Sequence, residues 1–114
     1  MTKDYKAITG DINEYTRELR KLAPDAMKGF SALAANATKD GALSAKTKEF
    51  MALAISVALR CDGCIGFHVK ALVRLGATRE EVGEALAMNV YLGGGPALMY
   101  AADALRAYDQ FAGE

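Results

Sequence analysis

Residues 50–68 read FMALAISVALRCDGCIGFH, and the order of the two halves of this stretch indicates the fold. The first half, residues 50–59, is a mainly apolar run that is too short to cross a bilayer. We expect it to form a helix that is apolar on all sides and buried centrally. The second half opens with a CxxC motif formed by Cys61 and Cys64. Because a helix precedes this motif, the βαβ context of a thioredoxin fold is excluded.

The rest of the chain also indicates helices. Ala, Leu, Met, Glu, Lys and Arg dominate, and alternating runs of β-branched and aromatic residues are missing. About six helices are expected, at residues 11–22, 24–39, 44–60, 62–75, 78–92 and 96–111. No linker, long internal repeat or low-complexity tract interrupts them. We therefore predict an all-α fold, a single-domain bundle of about six helices over residues 1–114.

Helix ends are marked by capping residues and breakers. Ser44 suits the N-cap of the third helix, and Asp62 suits that of the fourth. The first and fifth helices open with capping-box pairs, in which a glutamate follows the capping side chain by three positions. These pairs are Asp11 with Glu14 and Thr78 with Glu81. The three glycines at 93–95, followed by Pro96, predict a break before the sixth helix.

Charge and composition limit the classes of partner. Fourteen basic residues balance fourteen acidic ones, so no net positive charge attracts nucleic acid. The N-terminal stretch MTKDYKAITGDINEY contains no apolar run and does not indicate a secretory signal. We expect a cytoplasmic protein with no nucleic-acid or membrane partner. In that compartment two cysteines are more often catalytic or metal-binding than a structural disulfide.

The last predicted helix carries apolar residues on more than one face. Its sequence, PALMYAADALRAYDQF, spans residues 96–111. A small domain cannot cover all of these faces by itself, so we expect part of the helix to form a subunit interface. The alternative is a helix in the centre of the monomer. The pattern therefore favours a homo-oligomer.

The octapeptide CDGCIGFH contains both cysteines and the only histidine of the chain. Two sulfurs one helical turn apart can close a disulfide or share a metal, and the positive end of the following helix favours the reactive thiolate. A structural zinc site needs four ligands, whereas Cys61, Cys64 and His68 supply three. A pair of inert buried thiols is a further alternative. The favoured interpretation is a helical thiol redox enzyme without a metal or a cofactor.

A longer pattern includes this motif. Glu49 is separated from Cys61 by eleven residues, and Cys64 is separated from His68 by three. CxxC alone is weakly specific, but this full spacing on an all-helical chain resembles the signature of the alkylhydroperoxidase AhpD-like group. That group belongs to the carboxymuconolactone decarboxylase family.

The resemblance extends beyond the motif. The segments GATREEVGEAL at residues 76–86 and GGGPALMYAADAL at residues 93–105 are similar to the downstream helices of the same family. In total the resemblance covers residues 25–110. It implies a homo-oligomer, either a trimer or a hexamer built as a trimer of dimers.

The resemblance also implies a function, that of a thiol-dependent peroxidase. It makes Cys64 the peroxidatic thiol and Cys61 the resolving thiol, which together form an intramolecular disulfide. It makes Glu49 and His68 the proton relay that activates the thiol and protonates the leaving group. The substrate is then a peroxide, and the reductant is a dithiol, which in relatives is a dihydrolipoyl group on a partner protein.

One position departs from the active relatives, and two other functions stay open. Peroxidases of this group resemble C-x-H-C, whereas this chain has Gly63 between its cysteines. The first alternative is a dithiol–disulfide redox sensor or adaptor without significant peroxide turnover. The second is a lactone decarboxylase of the same family, although members with that activity typically lack the CxxC pair.

The position of Glu49 raises a geometric question. On an unbroken helix it lies about 18 Å before Cys61, so a simple antiparallel hairpin is expected to leave its carboxylate far from the thiols. A relay therefore requires a bend, a steep crossing or a glutamate from another subunit. The apolar run that follows Glu49 favours a functional role, because an unpaired charge is costly there.

Overall fold

The computed structural model describes residues 2–113, and these residues form helices without a strand. The helices are α1 (Tyr5–Leu22), α2 (Pro24–Thr38), α3 (Ala45–Ala58), α4 (Asp62–Arg74) and α5 (Arg79–Ala112). The predicted all-α, single-domain fold is therefore confirmed, with five helices in the described part of the chain instead of about six. Within residues 2–113, no helix is both long enough and apolar enough to cross a membrane.

The difference in helix number comes from the glycine-rich segment. The predicted fifth and sixth helices are continuous as α5, which is 34 residues long and kinked at Gly94. Gly94 has φ 66° and ψ −148°, a conformation that glycine adopts without a steric penalty. Pro96 follows inside the helix and cannot supply a backbone N–H. The predicted break is thus a kink that redirects the second half of α5.

The start of α1 differs from the prediction at Asp11. The helix begins at Tyr5, and its N-cap is Asp4, whose carboxylate accepts hydrogen bonds from the backbone N–H groups of Lys6 and Ala7. Tyr5 is fully buried in the core, so tertiary packing holds the additional turns of helix. The predicted capping box at Asp11 was therefore wrong, because that residue lies inside a helix that is already capped.

Two other caps are confirmed. The Ser44 side chain accepts a hydrogen bond from the Thr47 N–H at 3.1 Å and begins α3. Thr78 and Glu81 form the predicted reciprocal capping box at the start of α5. Lys46 of α3 also binds the Glu81 carboxylate. The hydrogen bond from the Thr78 backbone, and then the one from Lys46, hold the pKa of Glu81 below its usual value.

The core lies between α3, α4 and α5, and the first turn of α1 closes it. Its largest fully buried side chains are Tyr5, Leu53, Val57, Ile65, Val69, Leu72 and Val82. The expectation that residues 50–59 are buried on all sides is wrong for the single chain. Met51, Ile55 and Leu59 are at least half exposed, because α4 and α5 cover only the opposite face of α3.

The last part of α5 has one face buried in the core and other residues exposed to solvent. Its buried residues are Ala101, Ala104, Ala107 and Phe111. Leu98 and Met99, near the kink, remain largely exposed. Much of this helix is therefore central to the monomer, and the predicted subunit interface along it stays a prediction.

Gly66 lets α1 approach α4 closely. A Cβ atom at this position would lie 2.6 Å from Cγ2 of Thr9 and 3.3 Å from Cδ1 of Tyr5. Both side chains are buried, and Thr9 is also held by a hydrogen bond from its hydroxyl to the Tyr5 carbonyl. Neither side chain can move away freely, so α1 and α4 would have to separate.

We expect Gly66→Ala to lower the free energy of unfolding by about 1–3 kcal/mol, measured by denaturant titration. Gly83→Ala in α5 is the matched control, because a Cβ atom there meets nothing within 4 Å. Since alanine is the better helix former, the control is expected to gain up to about 1 kcal/mol. Equal effects of the two substitutions would contradict the packing described for α1 and α4.

Candidate active site

Cys61 and Cys64 form a disulfide at the start of α4. Their Cα atoms are 5.2 Å apart, a separation that a disulfide spans. Cys61 is also the N-cap of α4, since its Sγ accepts a hydrogen bond from the Cys64 N–H at 3.2 Å. The prediction that Asp62 is the N-cap was wrong, because sulfur occupies that role and Asp62 is the first residue of the helix.

Glu49 and His68 form a second pair beside the disulfide. Glu49 lies in the first turns of α3 and is only 7% exposed, and its Oε2 is 2.7 Å from Nδ1 of His68 on α4. A carboxylate can only accept, so the Nδ1–H donates, and in the neutral form of the imidazole the lone pair is then on Nε2. Burying a carboxylate without a partner costs free energy, so the hydrogen bond from the imidazole stabilises Glu49 in its buried position.

The hairpin of α3 and α4 explains why these two residues meet. The connection between the helices is only residues 59–61, so the helices run antiparallel as neighbours. Arg60 turns the chain with φ 56°, a left-handed conformation that is costly for a side chain other than glycine. Glu49 and His68 then lie at comparable distances from the turn.

This geometry corrects the expectation about Glu49. Neither a bend in α3 nor a second subunit is needed to bring its carboxylate to the site, because it binds His68 of its own chain. His68 in turn follows Cys64 by one helical turn, so the two side chains share a face of α4. The imidazole thus contacts the carboxylate and lies one helical turn from Cys64 along α4.

Gly63, in the first turn of α4, packs against α1. A Cβ atom at this position would be 2.5 Å from Cδ1 of Ile12. Ile12 is partly exposed and ends in a flexible methyl group, so it covers the turn that contains the disulfide without being locked there. Any side chain at position 63 would have to displace it.

The disulfide is accessible from solvent. Both cysteines are half-buried, and His68 is also partly exposed. An apolar cavity of about 380 Å³ lies nearby between α3 and α5. Its lining includes Arg60, which precedes Cys61, but none of Glu49, Cys61, Cys64 and His68. The cavity is therefore separate from the four candidate residues, although it begins next to Cys61.

Lys3 was missed by sequence reasoning. Its Nζ lies 2.9 Å from the Asp62 carboxylate between the cysteines and 2.9 Å from that of Asp103 on α5. Burial lowers the pKa of Lys3, but hydrogen bonds to Asp103 and Asp62 outweigh this and raise the pKa above its usual value. These partners are 59 and 100 positions away in sequence, so no local pattern could have linked them.

In the part of the chain that the structure describes, no group of three or more His, Cys, Asp and Glu residues is placed to hold a metal ion.

The site combines a helical hairpin, a CxxC disulfide and a hydrogen-bonded Glu–His pair one helical turn away. Together these features define a class of all-α thiol proteins. The family model that matches this chain, over residues 24–107, is that of the Carboxymuconolactone decarboxylase family. The chain therefore belongs to the carboxymuconolactone decarboxylase family, and the resemblance to it is confirmed.

Solved structures of family members agree with this assignment, and an uncharacterized protein is also similar to the chain. A family member from Legionella pneumophila is 56% identical with a TM-score of 0.93, over 95% of this chain and 96% of that chain. One from Thermotoga maritima, suggested to take part in an antioxidative response, is 33% identical with a TM-score of 0.76, over 88% of each chain. An uncharacterized protein of Cupriavidus necator is 42% identical over 96% of both sequences.

Proposed function

We propose that this protein is a thiol-dependent hydroperoxide reductase. The observation that carries the proposal is the 2.7 Å contact between Glu49 and His68, one helical turn from Cys64 of a CxxC pair. A buried carboxylate that orients an imidazole is a common device for activating a nearby nucleophile. The family includes enzymes, and the antioxidative role suggested for the Thermotoga maritima relative supports the same chemistry.

Cys64 is the proposed peroxidatic residue. His68 takes the thiol proton on Nε2, and the position of Cys64 in the first turn of α4 favours the resulting thiolate. The thiolate attacks one peroxide oxygen, the O–O bond breaks, and a sulfenic acid and an alkoxide form. The protonated His68 then gives its proton to the alkoxide, which leaves as the alcohol.

Cys61 is the proposed resolving residue. Its thiol attacks the Cys64 sulfenic acid, water leaves, and the Cys61–Cys64 disulfide forms. The disulfide at the start of α4 corresponds to this oxidised end of the cycle. The short Cα separation supports the proposal, because the two sulfurs can meet without a large backbone movement.

A dithiol is the proposed reductant. Its thiolate attacks the half-buried disulfide, and a second exchange releases the Cys61 and Cys64 thiols and an oxidised, cyclic reductant. The partial exposure of both cysteines supports a reductant carried on a partner protein. A dihydrolipoyl group on a protein arm is the form that the family resemblance favours.

A homo-oligomer, either a trimer or a hexamer, is the proposed state of the active protein. Many large apolar side chains are exposed on the single chain, more than a small monomer normally leaves in water. They include Leu22, Phe30 and Leu33 on α1 and α2, where α2 contributes no buried residue at all. Association of copies of the chain would remove such surface from water.

The proposal is tested by peroxide consumption with purified protein, tert-butyl hydroperoxide and dithiothreitol. We expect one alcohol and one oxidised dithiothreitol per peroxide, at a rate that saturates with peroxide and is proportional to protein. The competing function is a dithiol–disulfide sensor. In that case the disulfide exchanges with dithiothreitol, but peroxide disappears no faster than with dithiothreitol alone, and the reductase proposal fails.

A further inference from the structure

Asp62 brings a negative charge into the CxxC turn. It is the first residue of α4, next to Cys61 and two positions before Cys64. A carboxylate that lies between two thiols in the sequence, within one helical turn of each, disfavours the thiolate electrostatically. It opposes the effect of the helix N-terminus, which favours negative charge on sulfur. The reactivity of the pair therefore depends on what neutralises Asp62.

Lys3 is the group that neutralises it. Its ammonium bonds the Asp62 carboxylate at 2.9 Å and lies 4.8 Å from the centre of the Tyr100 ring. The second ion pair, to Asp103, fixes the ammonium to α5. Because these bonds raise the pKa of Lys3, the ammonium stays charged wherever a thiol titrates.

The backbone around Lys3 is fixed too. The Gln110 side chain donates from Nε2 to the Lys3 carbonyl at 2.8 Å and accepts from the Tyr5 N–H at 2.8 Å. The last turns of α5 thus hold the N-terminal segment in an extended path to the start of α4. This arrangement positions the Lys3 ammonium against the carboxylate of the residue that follows Cys61.

We propose that Lys3 is a positioning residue that sets the reduction potential of the Cys61–Cys64 pair by neutralising Asp62. Reduction adds two electrons and two protons to the disulfide and gives two thiols, one of which partly ionises to thiolate. Lys3 favours this reduced state, since the thiolate no longer faces an unpaired carboxylate. The inference rests on the proposed function only in treating the pair as redox-active.

Other charged groups near the turn are left unchanged by the key variants. They are Arg60 before the turn, Glu49 with His68 one turn further, and Asp103 beside Lys3, together with the neutral phenols of Tyr5 and Tyr100. Of these, Asp103 serves as the matched control. It shares the Lys3 ammonium but lies on α5, outside the CxxC turn.

The test is the equilibrium between the disulfide and the two thiols in buffers of reduced and oxidised dithiothreitol, read by thiol alkylation and mass spectrometry. We expect Lys3→Met to shift the equilibrium about threefold to tenfold toward the disulfide, tenfold corresponding to about 30 mV for this two-electron couple. Asp62→Asn is expected to shift it toward the thiols. Lys3→Arg keeps the charge and is expected to stay within about twofold of the wild type.

The double variant separates the proposed role from a merely structural one. When Asp62→Asn is already present, adding Lys3→Met is expected to change the disulfide–thiol equilibrium little, because the carboxylate that Lys3 neutralises is gone. Asp103→Asn weakens the same anchor and is expected to lower the melting temperature without moving the equilibrium. If the wild type, Lys3→Met and Asp103→Asn have the same disulfide–thiol equilibrium, this inference is overturned but the proposed function is not. A wild-type disulfide that dithiothreitol cannot reduce would overturn the proposed function as well.

Discussion

Replacing Cys64 by serine is expected to lower kcat/KM for an alkyl hydroperoxide by at least about 1000-fold, to the rate of the reductant alone. The proposed cycle begins with sulfur attack on oxygen, and a serine hydroxyl is not ionised near neutral pH. The nearby His68 cannot compensate, because it only moves the proton. The measurement is peroxide consumption with dithiothreitol in excess, with the rate in the absence of protein subtracted.

Cys61→Ser is the matched control for this substitution. It removes the resolving thiol but leaves Cys64 and the Glu49–His68 contact in place. We expect one rapid turnover per protein molecule, followed by slow consumption limited by direct reduction of the sulfenic acid by dithiothreitol. If Cys61→Ser loses the first turnover and Cys64→Ser keeps it, the two assigned roles are reversed.

Replacing Glu49 by glutamine is expected to lower kcat/KM about 100-fold with little change in the binding of peroxide. The amide has nearly the same shape as the carboxylate, but it is neutral and no longer stabilises a protonated His68. The shape of the dependence of kcat/KM on pH is therefore expected to differ from that of the wild type. The measurement is kcat/KM across about pH 5–9, which brackets the ordinary pKa of histidine.

Two comparisons separate a relay from a structural role of Glu49. Glu84→Gln, which changes an exposed glutamate of α5, is expected to leave the rate and its pH profile unchanged. His68→Gln and the double variant with Glu49→Gln are expected to have nearly the same rate, because the two side chains act as a unit. If Glu49→Gln changes the melting temperature but not kcat/KM, the carboxylate only stabilises the fold.

Local sequence signals predicted the N-terminal ends of two helices, where hydrogen bonds between near neighbours in the sequence fix them. Ser44 caps α3 and Thr78 with Glu81 caps α5, because a capping side chain acts on N–H groups two or three residues away. The beginning of α1 was nevertheless predicted too late, although Asp4 caps it by hydrogen bonds of the same local kind. Tyr5 is held by the core and by Gln110 near the other end of the chain, so tertiary contacts override the Asp11 pattern.

The candidate site was only partly predictable for the same reason. The spacing selected two residues that form a disulfide, Cys61 and Cys64, and two that form a hydrogen bond, Glu49 and His68. The contact of Glu49 with His68 in its own chain depends on a turn of three residues, a detail that helix length alone does not provide. The ion pair of Lys3 has no sequence signal, because its two halves meet only in the folded chain.

The most direct test of the reductase proposal is a single turnover with one equivalent of tert-butyl hydroperoxide, followed by mass spectrometry of the protein. We predict that the reduced wild type forms one Cys61–Cys64 disulfide per peroxide, and that Cys61→Ser forms a sulfenic acid on Cys64, which dimedone traps. Unreacted thiols with intact peroxide, or trapping at a site other than Cys64, would contradict the proposed chemistry.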